Sequence, residues 1–332
     1  MKNKGLLAVL AAIVILVCGA VFFQNKGTED ATTTKENTIK KVGVLQFVTH
    51  EALDEIYRGI QDGLAEAGYS GDNVEIDFLN SEADQSKVQT MSQQLVSNGN
   101  DVLIGIATPA AQGLASATSD IPVIMGAVTD PVGANLVSDL KHPDKNITGV
   151  SDVTPIDKQV ELMQELTPNV KTVGVIYSSS EDNSASQVAE FKELAAKAGY
   201  TVEEYSVPST NEIATSMSVM VGKVDAIWLP LDNTVASAFS TVVQAAKEKK
   251  IPIYTSVQTM VEEGGLASVA IDQYQLGVST GKMAARILAG QTVAENPVEV
   301  VTEGSPVINI KVAAELGLTV PDSLLKDAQV VE

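Results

Sequence analysis

Two short motifs recur at a single spacing. Val42–Val44 (VGV) returns at Val173–Val175, and Ala67–Tyr69 (AGY) returns at Ala198–Tyr200, both offset by 131 residues. Asp120–Gly126 (DIPVIMG) is echoed by Lys250–Ser256 (KIPIYTS) at an offset of 130, and DVLIGIATP from Asp101 has a looser echo in VDAIWLPLD from Val224. Ordered echoes at nearly one spacing mean that one topology is used twice.

Each half alternates apolar strands with helical patterns. Strands are expected at Lys41–Val48, Val74–Leu79, Val102–Ile106 and Ile121–Met125, then at Thr172–Tyr177, Thr201–Tyr205, Val224–Leu229 and Ile251–Tyr254. Between them, Leu53, Ile56, Ile60 and Leu64 share one helical face, as do Val188, Phe191 and Leu194. Near-continuous apolar strands alternating with helices specify parallel sheets covered on both faces. The expected fold is α/β: two similar doubly wound parallel-sheet lobes joined by several hinge strands, after an N-terminal hydrophobic segment. Asn146–Asp152 (NITGVSD) is read as the link between halves. A helix is expected over Gln275–Leu288 and a late strand around Val307–Ile310. Hinges are expected near 151–154, 271–274 and 291–296. The division is then 40–152 plus about 272–290 for lobe 1, and 153–271 plus about 291–332 for lobe 2.

Residues 1–23 form a signal or membrane-anchor segment. Lys2 and Lys4 precede an uncharged apolar run, Gly5–Phe23, whose length favours an uncleaved span with the lysines inside. Cys18, the single cysteine, excludes an internal disulfide and makes a lipid anchor the lesser alternative. Residues 24–39, polar and Thr-rich, read as a flexible tether that holds the rest at the outer face of the membrane. A net charge of -20 excludes nucleic acid as a partner. The two histidines accompany no nucleophile motif, and no metal or nucleotide signature is present, so neither an enzyme nor a cofactor is expected.

Open parallel sheets bind ligands beyond the carboxyl ends of their strands. The turns facing a cleft between the lobes are therefore QFVTHE (Gln46–Glu51), ATPAAQ (Ala107–Gln112), GAVTDPVGAN (Gly126–Asn135), SSSEDNS (Ser178–Ser184), PLDNT (Pro230–Thr234) and TSVQ (Thr255–Gln258). They carry hydroxyls, amides and carboxylates but no Lys or Arg. A ligand carboxylate suits helix N-termini with Thr108, Ser180, Asn183 or Ser184, and an ammonium suits Asp232 or Asp130. Such residues also cap helices, and Asn183 or Ser184 is expected to cap the helix after Tyr177. Glu181 and Asp182 are expected to face solvent, since another acid would repel the carboxylate.

At these turns, and at NITGVSD, GVIYSSSEDNS, GLASVAID followed by QYQLG, and INIKVAAELGLTVP, the chain resembles ABC-transporter substrate-binding proteins of the type I periplasmic-binding fold. It is similar in particular to streptococcal tryptophan-binding components. The resemblance covers about residues 40–330 and implies a closing trap that delivers a free amino acid, tryptophan ahead of phenylalanine or tyrosine, to a permease and ATPase. It places Thr108, Ser180, Asn183 and Ser184 at the ligand carboxylate and Asp232 at the ammonium. It gives the side-chain pocket to Phe47, Tyr254, Val128 and Pro131. Thr49, Thr129, Asp130, Asn233 and Asp272 complete the candidate set, and a monomer is expected. Val17 departs from the residue such proteins carry before a lipidated cysteine. A receptor for a branched-chain amino acid or another small solute, or an exported sensor serving a signalling partner, is the alternative.

Overall fold

The computed structural model describes residues 39–332, so the signal or anchor segment, Cys18 and nearly all of the tether lie outside the described residues. Among the described residues no helix is long and apolar enough to cross a membrane. The first half runs β1 (Lys40–Gln46), α1 (Glu51–Glu66), β2 (Val74–Asn80), α2 (Gln85–Ser97), β3 (Val102–Ile106), α3 (Thr108–Ala117), β4 (Val123–Gly126) and β5 (Ile147–Asp152). The second runs α4 (Ile156–Leu166), β6 (Thr172–Ser178), α5 (Asp182–Lys197), β7 (Thr201–Val207), α6 (Ile213–Met220), β8 (Ala226–Trp228), α7 (Asn233–Ser237), α8 (Phe239–Lys249), β9 (Ile253–Thr255), α9 (Gln258–Glu262) and β10 (Ala267–Ala270). The chain closes with α10 (Gln273–Leu288), β11 (Glu299–Val301), β12 (Ser305–Asn309), α11 (Ile310–Leu316), α12 (Asp322–Asp327) and β13 (Gln329–Val331).

The strands form two sheets, a six-stranded one in the order β11-β5-β4-β3-β1-β2 and a seven-stranded one in the order β13-β12-β10-β9-β8-β6-β7. All pairings are parallel except β10 with β12. The duplicated motifs occupy equivalent places. Val42 pairs with Ile76 and Val102, and Val173 with Val202 and Ala226, so in both sheets VGV lies on the strand next to the edge, paired on both sides. AGY ends α1 and α5 in the same way. Gly68 (φ 93°) and Gly199 (φ 89°) take the left-handed turn, and the Tyr69 and Tyr200 N–H groups close onto Leu64 and Ala195 carbonyls. The carbonyls of Pro122 and Pro252 each accept an N–H from the neighbouring strand, Leu103 and Ile227 respectively, at 2.9 Å.

Three features differ from the sequence expectation. Asn146–Asp152 is not a bare link: 147–152 is the fully buried strand β5, paired to β4 and β11. The late strand stops at Asn309, and Ile310 already begins α11. The third crossing lies at 302–304 rather than 291–296, so 291–301 belongs with the first sheet and not with lobe 2. Buried Asn296 explains this. Its carbonyl accepts the Thr148 hydroxyl at 2.6 Å, and its side chain accepts Arg286 Nε at 2.7 Å, which ties the segment to β5 and α10. The other crossings lie at 153–155 and 271–272, and the Val153 N–H bonds the carbonyl of Val301, the last residue before the third crossing, at 2.9 Å.

α10 returns to the first lobe and packs against α1 almost backbone to backbone. A Cβ built on Gly59 would lie 2.2 Å from the Tyr274 carbonyl oxygen, and one on Gly277 2.1 Å from that of Ile56. This contact fixes the first turns of both helices beside the cleft.

Candidate functional site

The lobes meet face to face. Gln112 Nε2 donates to Asp182 Oδ2 at 2.8 Å, the Ser186 hydroxyl to Asp130 Oδ2 at 3.1 Å, and Gln85 Nε2 to the Ser180 carbonyl at 3.4 Å. Ala52 of α1 packs into the second lobe's core with Leu229, Val235 and Met260. These contacts bound a cavity in the cleft that residues of both lobes line.

The first lobe supplies adjoining strand ends. Ala107 and Thr108 follow β3, Ala127 and Thr129 follow β4, and Asp152 ends β5. His50, Ala52 and Leu53 come from the start of α1. Ala107 (φ 74°) and Ala127 (φ 56°) hold left-handed backbone conformations that cost alanine energy, and both line the cavity. The Ala107 turn directs the first turn of α3 to the cavity, where Pro109 lacks an N–H and the remaining first-turn N–H groups have no intrahelical acceptor. The second lobe supplies Asn183, Pro230, Leu231, Asp232, Asn233, Ala236, Val257 and Met260, and Gln273 closes one side. Apolar groups thus dominate the second-lobe wall, and polar groups gather at the strand ends.

The polar groups are strongly perturbed. Burial pushes the Asp152 carboxyl up to about 7, opposed by the Thr129 hydroxyl at 3.2 Å. Asp232 is pushed up to about 7 by burial and then by the nearby Glu181 carboxylate, against donors from Ser178, Val235 and Ser184. Burial lowers the His50 imidazole to about 4. His50 is therefore neutral at pH 7, and its Nε2–H donates to Asn233 Oδ1 at 3.2 Å. No Lys or Arg lines the cavity.

The predicted residues divide sharply. Thr108, Thr129, Asn183, Asp232 and Asn233 line the cavity. Phe47, Val128 and Tyr254 do not: Phe47 and Val128 lie in the first lobe's core, and Tyr254 lies in the second, its hydroxyl bonded to Thr167 at 2.8 Å. Each is a strand or strand-end residue whose side chain alternates away from the cleft. Thr49 is exposed and accepts from Asn80, Ser180 is exposed against Ser178, and exposed Asp272 caps α10 through the Gln275 N–H. Asp130 accepts from the Gly133 N–H and Ser186, a contact between lobes outside the cavity. Ser184 is buried behind Asp232, to which it donates at 2.7 Å.

The cap assignments also change. Neither Asn183 nor Ser184 caps α5; the helix starts at Asp182, and Glu181 at its N-cap makes no side-chain capping bond there. Glu181 does not face solvent. Its oxygens accept the N–H and side chain of both Asn233 and Thr234, capping α7 from another loop. Asp232 caps the same helix through the Val235 N–H at 2.7 Å. Leu231 and Val257 line the cavity from turns expected at the cleft, whereas Asp152, Leu53, Met260 and Gln273 lie outside the expected turns. Asp152 carries a usable signal, an acid at the end of the apolar run Ile147–Asp152, which the structure shows to be a strand rather than a link.

The family of ABC transporter substrate binding proteins matches residues 41–332. A solved ABC domain from Streptococcus pneumonia, in complex with L-Trp, is 64% identical, covers 89% of this chain and 100% of its own, and superposes with a TM-score of 0.87. A tyrosine-binding protein of Clostridioides difficile is 38% identical over 93% of this chain and 91% of its own. The ligand-free, open structure of CD0873, a substrate binding protein with adhesive properties from Clostridium difficile, is 38% identical over 89% of this chain and 99% of its own, with a TM-score of 0.67.

Proposed function

The chain belongs to the ABC transporter substrate-binding proteins, and on that footing we propose that it captures a free aromatic L-amino acid, tryptophan first, and presents it to a membrane permease powered by an ATPase. The observation that carries the reading is the cavity between the lobes, apolar on one wall and polar at the strand ends, in a fold that superposes closely on an L-Trp complex. The lower TM-score against the open, ligand-free relative fits a closed lobe arrangement here. The tyrosine-binding relative supports the aromatic class and makes tyrosine the nearest competitor.

The trap works through its two-sided contacts. Thr108 and the N–H groups at the starts of α1 and α3 receive the carboxylate. Leu53, Leu231, Val257 and Met260 enclose the ring. A ligand touching both lobes binds the closed form more tightly than the open one, and this difference drives closure. The protein works outside the cytoplasm as a single copy. The lysines before the apolar run Gly5–Phe23 support a tether to the outer membrane face.

The test is a thermal-shift screen of the purified chain against the twenty amino acids. A ligand at 100 times its Kd stabilises by about 2.7 kcal/mol. Tryptophan should give the largest rise in melting temperature. A rise with leucine or a non-amino-acid solute and none with tryptophan, phenylalanine or tyrosine would end the aromatic reading.

A further inference from the structure

We propose that the ligand's ammonium is held by a clasp of Asp152 and Asn183, one from each lobe, rather than by Asp232. This rests on the amino-acid reading above and deepens it by assigning the group that selects an α-amine.

Asp232 is already committed. Its Oδ2 accepts the Ser178 N–H at 2.5 Å and the Ser184 hydroxyl at 2.7 Å, while Oδ1 accepts the Val235 N–H at 2.7 Å. Those bonds join the end of β6 to the starts of α5 and α7, which is structural work. Asp152 is different. It is 3% exposed, it lines the cavity, and Thr129 is the one side-chain donor it has among the described residues. A buried carboxylate with no cation beside it requires an opposite charge to be stable in ionised form.

Asn183 supplies the second observation. It is 4% exposed and lines the same cavity from the opposite lobe. Its Nδ2 donates to the Leu231 carbonyl at 2.7 Å, and a carbonyl can only accept, so the orientation of the amide is fixed. The Leu231 loop is held in turn by its N–H bond to Gln187 Oε1 at 3.0 Å. Asn183 Oδ1 is left as a buried acceptor without a donor. Such an atom costs stability unless something supplies a hydrogen. An ammonium offers three N–H donors and satisfies Asp152 and Asn183 together. Because they belong to different lobes, this bond forms only when the cleft closes.

The row of strand ends gives the geometry. Asp152 ends β5, Thr129 follows β4, and Thr108 follows β3, in adjoining order across one sheet. The carboxylate and ammonium of an α-amino acid share one carbon, so adjoining strand ends suit both. Loss of the amine would leave both Asp152 and Asn183 unpaired. The site is therefore specific for the amine as well as for the ring.

The test uses calorimetric titration of the full chain with L-tryptophan and with indole-3-propionate, which differs by lacking the amino group. The parent should bind L-tryptophan more tightly by about 100-fold or more, as for a lost charged partner. Asp152→Asn should weaken L-tryptophan by about 100-fold and change indole-3-propionate by less than about 3-fold, which closes the gap between the ligands. Asn183→Ala should weaken L-tryptophan by about 10-fold with the same selectivity. Asp232→Asn should lower the melting temperature without singling out the amine. Unchanged tryptophan affinity in Asp152→Asn overturns the clasp, as does an equal loss for both ligands. Amine-selective loss in Asp232→Asn moves the ammonium to that residue and also overturns it. A parent that binds tryptophan but does not distinguish it from indole-3-propionate sinks the clasp alone. A parent that binds no aromatic amino acid sinks the reading beneath it as well.

Discussion

Glu181 is the residue whose environment departs most from its sequence context, and Glu181→Gln tests the second lobe's architecture. Its Oε1 accepts the Thr234 N–H at 2.9 Å and the Thr234 hydroxyl at 2.7 Å. Its Oε2 accepts the Asn233 N–H at 3.2 Å and Asn233 Nδ2 at 2.5 Å. All of these groups are buried. Glutamine preserves the shape and one acceptor, but its NH2 must face two donors. A hydrogen bond to a charged group contributes about 1.5–3 kcal/mol, and an unsatisfied buried donor costs about 1–3 kcal/mol. Relief of the repulsion between Glu181 and Asp232 offsets part of the loss. The net expectation is a destabilisation of about 3 kcal/mol. Urea unfolding at pH 7, followed by Trp228 emission, measures it. Trp228 is the single tryptophan, it stacks on Phe191 at 4.0 Å, and it donates to Gln159 at 2.8 Å, so its signal reports the second lobe's core. The midpoint should fall with the slope unchanged. A loss below about 0.5 kcal/mol, typical of a surface substitution, would refute the buried cap and return Glu181 to solvent.

Two further outcomes follow from packing and charge. Gly277→Ala should destabilise by about 3 kcal/mol, because the added carbon meets the Ile56 carbonyl at 2.1 Å and α1 cannot yield without shifting the cavity wall; wild-type stability on urea unfolding would contradict the helix contact. Asp152 and Asp232 have folded values near 7 against about 3.9 when unfolded, so the folded state binds more protons between about pH 4 and 7. Their contribution to stability is therefore lost as pH rises through that window, the reverse of a salt-bridged carboxylate. Asp152→Asn should stabilise the ligand-free chain by on the order of 2–4 kcal/mol at pH 8 and by little at pH 4, and an equal effect at both would exclude a buried, unpaired Asp152.

Much of the fold was legible because repetition and periodicity are local properties. The VGV and AGY echoes correspond to interior strands and to helix stops built on left-handed glycines, and both depend on neighbours in sequence. The site was less legible. Phe47, Val128 and Tyr254 sit at strand ends as expected, but the face each presents depends on sheet pairing and pleat, and the sheet turns them into the cores. Ser180 and Ser184 neighbour Asn183, yet one is exposed and one lies behind Asp232.

The amino-acid sequence by itself determined the class of architecture, the doubling of the lobes, the edge of each sheet that borders the cavity, and the cation-free character of that edge. These follow from hydrophobic period, turn chemistry and composition. Tertiary structure alone decided the fate of each acid. Asp152, Glu181 and Asp232 all end or follow strands, but the first faces the cavity, the second caps a helix from a different loop, and the third ties three elements together. The energy of a buried carboxylate depends on which donors converge on it, and those donors arrive from segments distant in sequence.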